Sequence, residues 1–214
     1  MKLFLTSSCV SENLREPFLK FLGKPTDRLK FYFIPTATDV EESKFYTCAS
    51  MDDFSAIGIN PIWYSLKFKT SDQITRELSD ADFIWIGGGN TFYLLDVMKK
   101  TGALSIIDDL VRNKNVMFGG TSAGTIVATP SIEIASWGEH SDPNDVGLTN
   151  LDSLNFVPFY THVHYNPAAE KNMLLAKDSR MQIYAIPDGS AVEVIDDKIT
   201  MHGSVEVLPS RLTV

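Results

Sequence analysis

One serine stands between two glycines in Gly120-Thr121-Ser122-Ala123-Gly124, directly after the apolar run Val116-Met117-Phe118-Gly119. That is the layout of a nucleophile elbow, where a strand turns sharply into a helix and leaves a hydroxyl projecting from the strand's C-terminal edge. Strand and helix approach so closely there that bulk on either side of the serine is excluded, which is what the glycines supply. A serine hydroxyl is a weak nucleophile until a base activates it, and the chain has four histidines to choose from. His162 and His164 lie in Phe159-Tyr160-Thr161-His162-Val163-His164-Tyr165-Asn166-Pro167, ahead of a segment with helical spacing. If that stretch is extended, both imidazoles share a face, and His-x-His is also a metal-ligand spacing, although no third ligand is evident. His140 reads as a solvated loop residue and His202 as part of a late hairpin.

The base in turn needs a carboxylate to fix its tautomer and stabilise the imidazolium. Asp188, in Ile186-Pro187-Asp188-Gly189, follows an apolar run and is held in a turn by Pro and Gly. Glu139 and Asp142, in the loop after the serine, compete for the same role. A third loop, Gly87-Gly88-Gly89-Asn90-Thr91, closes another apolar run and frees backbone N–H groups at the start of a helix. Its spacing fits neither G-x-G-x-x-G nor the P-loop, because Phe92 holds the sixth position and no Gly-Lys-Ser/Thr follows. A phosphate or dinucleotide cradle is therefore disfavoured, and no cofactor or metal is expected. The functional reading of this loop is an oxyanion hole, with N–H groups of Gly88 or Gly89 joined by that of Ala123; the competing reading is a tight strand–helix turn without a ligand.

These residues need a scaffold that delivers strand ends to one edge. Short apolar runs over residues 2–6, 30–34, 60–65, 83–86, 116–119, 182–186 and 191–195 read as strands. Helical spacing over residues 12–22, 41–56, 71–78, 91–99, 104–113, 122–128 and 167–177 alternates with them. That alternation predicts an α/β fold with a doubly wound, mostly parallel sheet, whose ligands collect beyond the strands' carboxyl ends. Antiparallel hairpins are expected around Asp196-Asp197 and Gly203, and a long loop over residues 134–155. Pro35-Thr36-Ala37-Thr38-Asp39, after the second strand, reads as a helix-capping turn or a pocket wall.

With 214 residues, 44% of them hydrophobic, residues 1–214 are expected to form a single domain. A formal charge of −8 argues against nucleic acid or anionic membrane as a partner and favours a small soluble substrate. Cys9 and Cys48 show neither a Cys-x-x-Cys spacing nor a disulfide framework, and no stretch has signal-peptide or spanning character, so a cytoplasmic protein is expected.

The chain order Ser122, His164, Asp188 differs from the Ser, acid, His order of α/β-hydrolases. The set of motifs instead resembles the S51 serine peptidases, the family of aspartyl dipeptidase and cyanophycinase. The resemblance rests on Gly87-Gly88-Gly89-Asn90-Thr91, on Thr121-Ser122-Ala123-Gly124 with Pro130 following, on a histidine followed by an aromatic residue, and on a late Pro-acid-Gly turn. It implies a class I glutamine-amidotransferase-like (flavodoxin-like) three-layer α/β sandwich with serine as nucleophile. It further implies a serine-type hydrolase of small peptides, a dipeptidase or exopeptidase working through an acyl-enzyme; the rival readings are a catalytically silent binding or regulatory domain that keeps this fold, and an esterase or other amidase. A monomer or homodimer is expected. Ser122 matches the family nucleophile, His164 the histidine in preference to His162, and Asp188 an acid. An Asp in the loop after the serine has also been proposed as the acid in this family, and because this chain's loop does not align cleanly there, Glu139 and Asp142 both stay in play. The helix after the histidine, Ala168-Ala169-Glu170-Lys171-Asn172-Met173, carries no arginine where the family is arginine-rich, so the resemblance does not decide whether N-terminal aspartate is preferred.

Overall fold

The computed structural model describes residues 1–43, 45–138, 140–177 and 179–210. In chain order the elements are β1 (Lys2–Thr6), α1 (Glu12–Leu22), β2 (Phe31–Ile34), α2 (Phe45–Ser55), β3 (Ile62–Trp63), α3 (Ser71–Glu77), β4 (Phe83–Ile86), α4 (Thr91–Thr101) and α5 (Ala103–Asn113). They continue with β5 (Met117–Thr121), α6 (Ala123–Ile126), β6 (Tyr160–Val163), α7 (Pro167–Ala176), β7 (Ile183–Ile186), β8 (Ala191–Ile195), β9 (Lys198–His202) and β10 (Glu206–Leu208). Local chemistry sets several of the boundaries. Thr70 and Gln73 close a capping box on α3, Asn90 caps α4, and Gly23 and Gly102 end α1 and α4 in the left-handed conformation.

Among the described residues the strands form a seven-stranded sheet in the order β3-β2-β4-β5-β1-β8-β9 and a three-stranded sheet in the order β10-β7-β6. β1 to β5 run parallel, whereas β8 and β9 add on as antiparallel strands. Alternate side chains of the large sheet enter two separate cores, as the period of two requires. Phe4, Phe31, Phe33, Phe83 and Trp85 face α1 and α2 in an aromatic core. Leu3, Leu5, Ile34, Ile84, Ile86 and Phe118 face α3 to α6 and the small sheet. The result is a three-layer α/β architecture.

Three expectations change in detail. Residues 182–186 contain a strand, but β7 pairs with β6 in the small sheet rather than joining the large one. β10 pairs with β7 and not with β9 across Gly203, because the chain crosses from one sheet to the other there. The helix expected over residues 41–56 starts only at Phe45; a 3-10 turn over Thr36–Val40 precedes it, and residues 41–43 are not helical.

Phe18 joins the aromatic core, with ring centroids 5.0 Å from Phe4, 5.7 Å from Phe83 and 5.6 Å from Trp85. Its truncation to alanine opens a cavity lined by rigid rings, so Phe18→Ala should lower the urea-measured unfolding free energy by about 3–5 kcal/mol. A loss under about 1 kcal/mol would show that this core repacks.

Candidate active site

Ser122 sits between β5 and α6 with φ 50° and ψ −111°, a strained conformation for a residue with a side chain. The glycines of the elbow are explained by contact distances. A Cβ on Gly120 would lie 2.4 Å from the Gly124 carbonyl, and one on Gly124 would lie 2.0 Å from the Ile86 oxygen. The Ser122 N–H donates to the Thr6 carbonyl at 3.2 Å, and the Thr125 hydroxyl lies 2.7 Å from that same oxygen. The elbow is thereby tied to the end of β1.

β6 ends at Val163, and His164 follows with φ 55°, so the two histidines part company instead of sharing a face. The His164 Nε2 lies 3.0 Å from Ser122 Oγ, and its Nδ1 lies 2.8 Å from Asp188 Oδ1. Asp188 follows β7, in a turn closed by Ser190 N–H to the Pro187 carbonyl at 3.1 Å. The turn is anchored by the Gly189 N–H donating to Ser8 Oγ and by Asn13 Nδ2 donating to the Gly189 carbonyl. Ser122, His164 and Asp188 thus form one hydrogen-bonded chain across two sheets. The hydrogen bond from His164 pulls the Asp188 carboxyl below its ordinary range, against burial, and a bond from Ser7 adds to it.

Ser7 went unnoticed in the sequence. It is fully buried just beyond β1, accepts the His164 backbone N–H at 2.7 Å and donates to Asp188 Oδ1 at 2.8 Å. The signal was a polar Thr-Ser-Ser at a strand's carboxyl end, which resembles any strand-end turn.

Asp142 lies near the serine but is otherwise engaged. Its Oδ2 accepts the Thr91 N–H at 2.8 Å at the start of α4, and burial pushes its carboxyl up despite that bond. Glu139 lies outside the described residues. His162 points to Glu170 of α7, with Nε2 3.1 Å from Oε1; both are buried, and burial lowers the imidazole's pKa against the pull of that carboxylate. The His140 ring stands edge-on to His164 at 5.9 Å, and His202 contacts Glu193 far along the sheet. Among the described residues no three His, Cys, Asp or Glu side chains converge as a metal site needs. Cys9 is buried and its thiol is pushed up to about 12, which keeps it protonated and unreactive.

The glycine-rich loop packs directly beside the serine. A Cβ on Gly88 would stand 3.2 Å from Ser122 Cβ, and Gly89, at φ 125°, presses on Ala37, where a Cβ would come within 2.4 Å of the carbonyl. The 3-10 turn after β2 is thus the seat of this loop, and Asn90 N–H donates to the Ala37 carbonyl at 3.0 Å. Among the described residues the N–H groups of Gly88, Gly89 and Ala123 have no protein acceptor. A cavity of about 30 Å³ opens beside Ser122 and His164, walled by Ile126, Ile134, Ala135, Trp137 and Val163, with His140, Asp142 and His162 at its polar side. Such a space holds roughly two water-sized groups.

Residues 3–202 match the sequence model of Peptidase family S51. An uncharacterized peptidase, Lmo0363 of Listeria monocytogenes, is 35% identical over 165 residues, covering 75% of this chain and 79% of the relative. Peptidase E of Salmonella typhi is 25% identical over 177 residues, covering 80% and 75%. A crystal structure from L. monocytogenes EGD-e, provisionally assigned as a peptidase E, superposes with a TM-score of 0.80 at 29% identity, covering 94% of this chain and 96% of the other.

The elbow geometry makes Gly124 irreplaceable, because the atom a new Cβ would strike, Ile86 O, belongs to a central strand and cannot swing away. Gly124→Ala should therefore destabilise the fold by about 1–3 kcal/mol in urea unfolding. Wild-type stability in this variant would refute the contact.

Proposed function

The chain belongs to peptidase family S51 and is a serine peptidase, and on that premise we propose that it hydrolyses short peptides through Ser122, His164 and Asp188. The observation that carries the reading is the unbroken chain from Ser122 Oγ through His164 to Asp188, with links of 3.0 and 2.8 Å. His164 Nε2 takes the hydroxyl proton as Ser122 Oγ attacks the scissile carbonyl carbon. The carbonyl electron pair moves to oxygen, where N–H groups of Gly88 or Gly89 and of Ala123 receive the charge. As the tetrahedral intermediate collapses, the C–N bond breaks and His164 returns the proton to the departing amine. A water molecule, deprotonated by the same imidazole, then releases the acid from Ser122. Asp188 keeps the Nδ1 proton in place and stabilises the imidazolium throughout.

Asp142 is the alternative acid. Its bond to Thr91 favours a role in holding α4 and the glycine-rich loop. Substrate choice follows from the walls of the cavity: apolar side chains, Asp142, and His162 backed by Glu170, with no Lys or Arg among the lining residues described. A carboxylate entering there meets Asp142 and no Lys or Arg to pair with, which is costly at low dielectric. The preferred acyl residue is accordingly small and uncharged. The net charge of −8 favours a peptide over nucleic acid, and no described helix is long and apolar enough to cross a membrane.

A fluorophosphonate should label the protein, and Ser122→Ala should abolish labelling. Asp188→Asn should reduce kcat on the order of 10³- to 10⁴-fold, with Asp142→Asn and Glu139→Gln costing less than about tenfold; the reverse ranking would move the acid to the post-serine loop. In a dipeptide panel, kcat/KM for N-terminal alanine should exceed that for N-terminal aspartate by at least about tenfold. A preference for aspartate would contradict the charge argument.

A further inference from the structure

We propose that Ser7 is a positioning residue of this hydrolytic site, its hydroxyl joining the backbone of His164 to the carboxylate of Asp188 so that the base stays aimed at Ser122. The inference rests on the Ser122–His164–Asp188 reading. It answers a mechanical problem that reading raises. Ser122 ends a strand of the seven-stranded sheet, whereas His164 and Asp188 follow neighbouring strands of the three-stranded one. A shift of one sheet against the other would open the 3.0 Å link between serine and base.

The proton inventory at Ser7 leaves one consistent arrangement. The His164 backbone N–H can only donate, so at 2.7 Å the Ser7 oxygen accepts. Nε2 must accept from Ser122, so Nδ1 carries the ring proton and gives it to Asp188 Oδ1 at 2.8 Å. Ser7 Oγ and Nδ1 are 3.5 Å apart, too far for a competing bond of any strength. The Ser7 proton therefore goes to Asp188 Oδ1 at 2.8 Å, and that oxygen receives two donors.

Both partners need such a tether. His164 lies past the end of β6 in a left-handed conformation, where no strand neighbour takes its N–H. The Asp188 side chain is 65% exposed, so apart from His164 and Ser7 little keeps it from turning to solvent. Ser7 itself is fully buried, with its own N–H donating to the Ser190 carbonyl at 3.3 Å and with Thr6 beside it bound to the Ser122 N–H.

The test reads phosphonylation of the intact protein by a fluorophosphonate, separating the maximal rate kinact from the half-saturating concentration KI. The fraction labelled at completion reports how much protein is competently folded. Ser7→Ala should lower kinact roughly 10- to 100-fold, the range for losing a hydrogen bond to a charged group, with KI changed less than about twofold. In an Asp188→Ala background, which removes the acceptor of the Ser7 hydroxyl, the same substitution should cost less than about threefold. Ser7→Cys, which is modestly larger and keeps a weak donor, should fall between serine and alanine and serves if the alanine variant folds poorly. An unchanged kinact in Ser7→Ala, or an equal loss in both backgrounds, would overturn the proposal. If Asp188→Ala itself leaves kinact intact, the acid assignment fails; if it is crippled while Ser7→Ala is not, only the role of Ser7 fails.

Discussion

Thr6 and Ser7 join the two sheets at the edge where the site lies. The Thr6 carbonyl accepts the Ser122 N–H, and the Ser7 hydroxyl takes the His164 N–H while donating to Asp188. The relative position of Ser122 and His164, the proposed nucleophile and base, therefore depends on one dipeptide at the end of a central strand, paired on one side with β5 and on the other with β8. Serine-hydrolase chemistry needs its groups placed to within fractions of an ångström. A junction buried between two cores provides that precision better than loop-to-loop contacts would. The remaining requirements follow from it: a helix pressed on β4 and β5, glycines where backbones touch, and a histidine forced out of strand conformation.

The two candidate acids show how environment divides one side-chain type into different roles. Asp188 is pulled below the usual carboxylate range chiefly by the hydrogen bond from His164, which suits the proposed role of an anion facing an imidazolium. Asp142 is pushed the other way by burial, and its best bond goes to a helix N-terminus. His162 and His164, two residues apart, diverge for a related reason. One remains in the strand and packs on buried Glu170; the other turns into the left-handed region, where its ring reaches Ser122.

Much of this was legible before any coordinates. β1, β4 and β8 fall on the bounds read from their apolar runs, and α1 on its helical spacing, because each has unambiguous periodicity with a clear stop. The elbow was legible because its glycines answer a steric demand written into a few consecutive residues. What escaped detection depends on non-local pairing. The run at 183–186 announces a strand, but nothing within it tells which sheet it will join. Residues 41–43 have helical composition yet lie outside α2, since the turn before them is committed to seating Gly89 and Asn90. Ser7 is the sharpest case, since a hydroxyl has no periodicity, and its importance arises from partners more than 150 residues away.

The most direct test of the central claim is a crystal structure of the fluorophosphonate-treated protein. The account predicts phosphorus bonded to Ser122 Oγ, its phosphoryl oxygen among the N–H groups of Ala123 and of Gly88 or Gly89, and His164 still bonded to Asp188. An adduct on another residue, a phosphoryl oxygen pointing away from those N–H groups, or His164 turned towards Asp142 would contradict it.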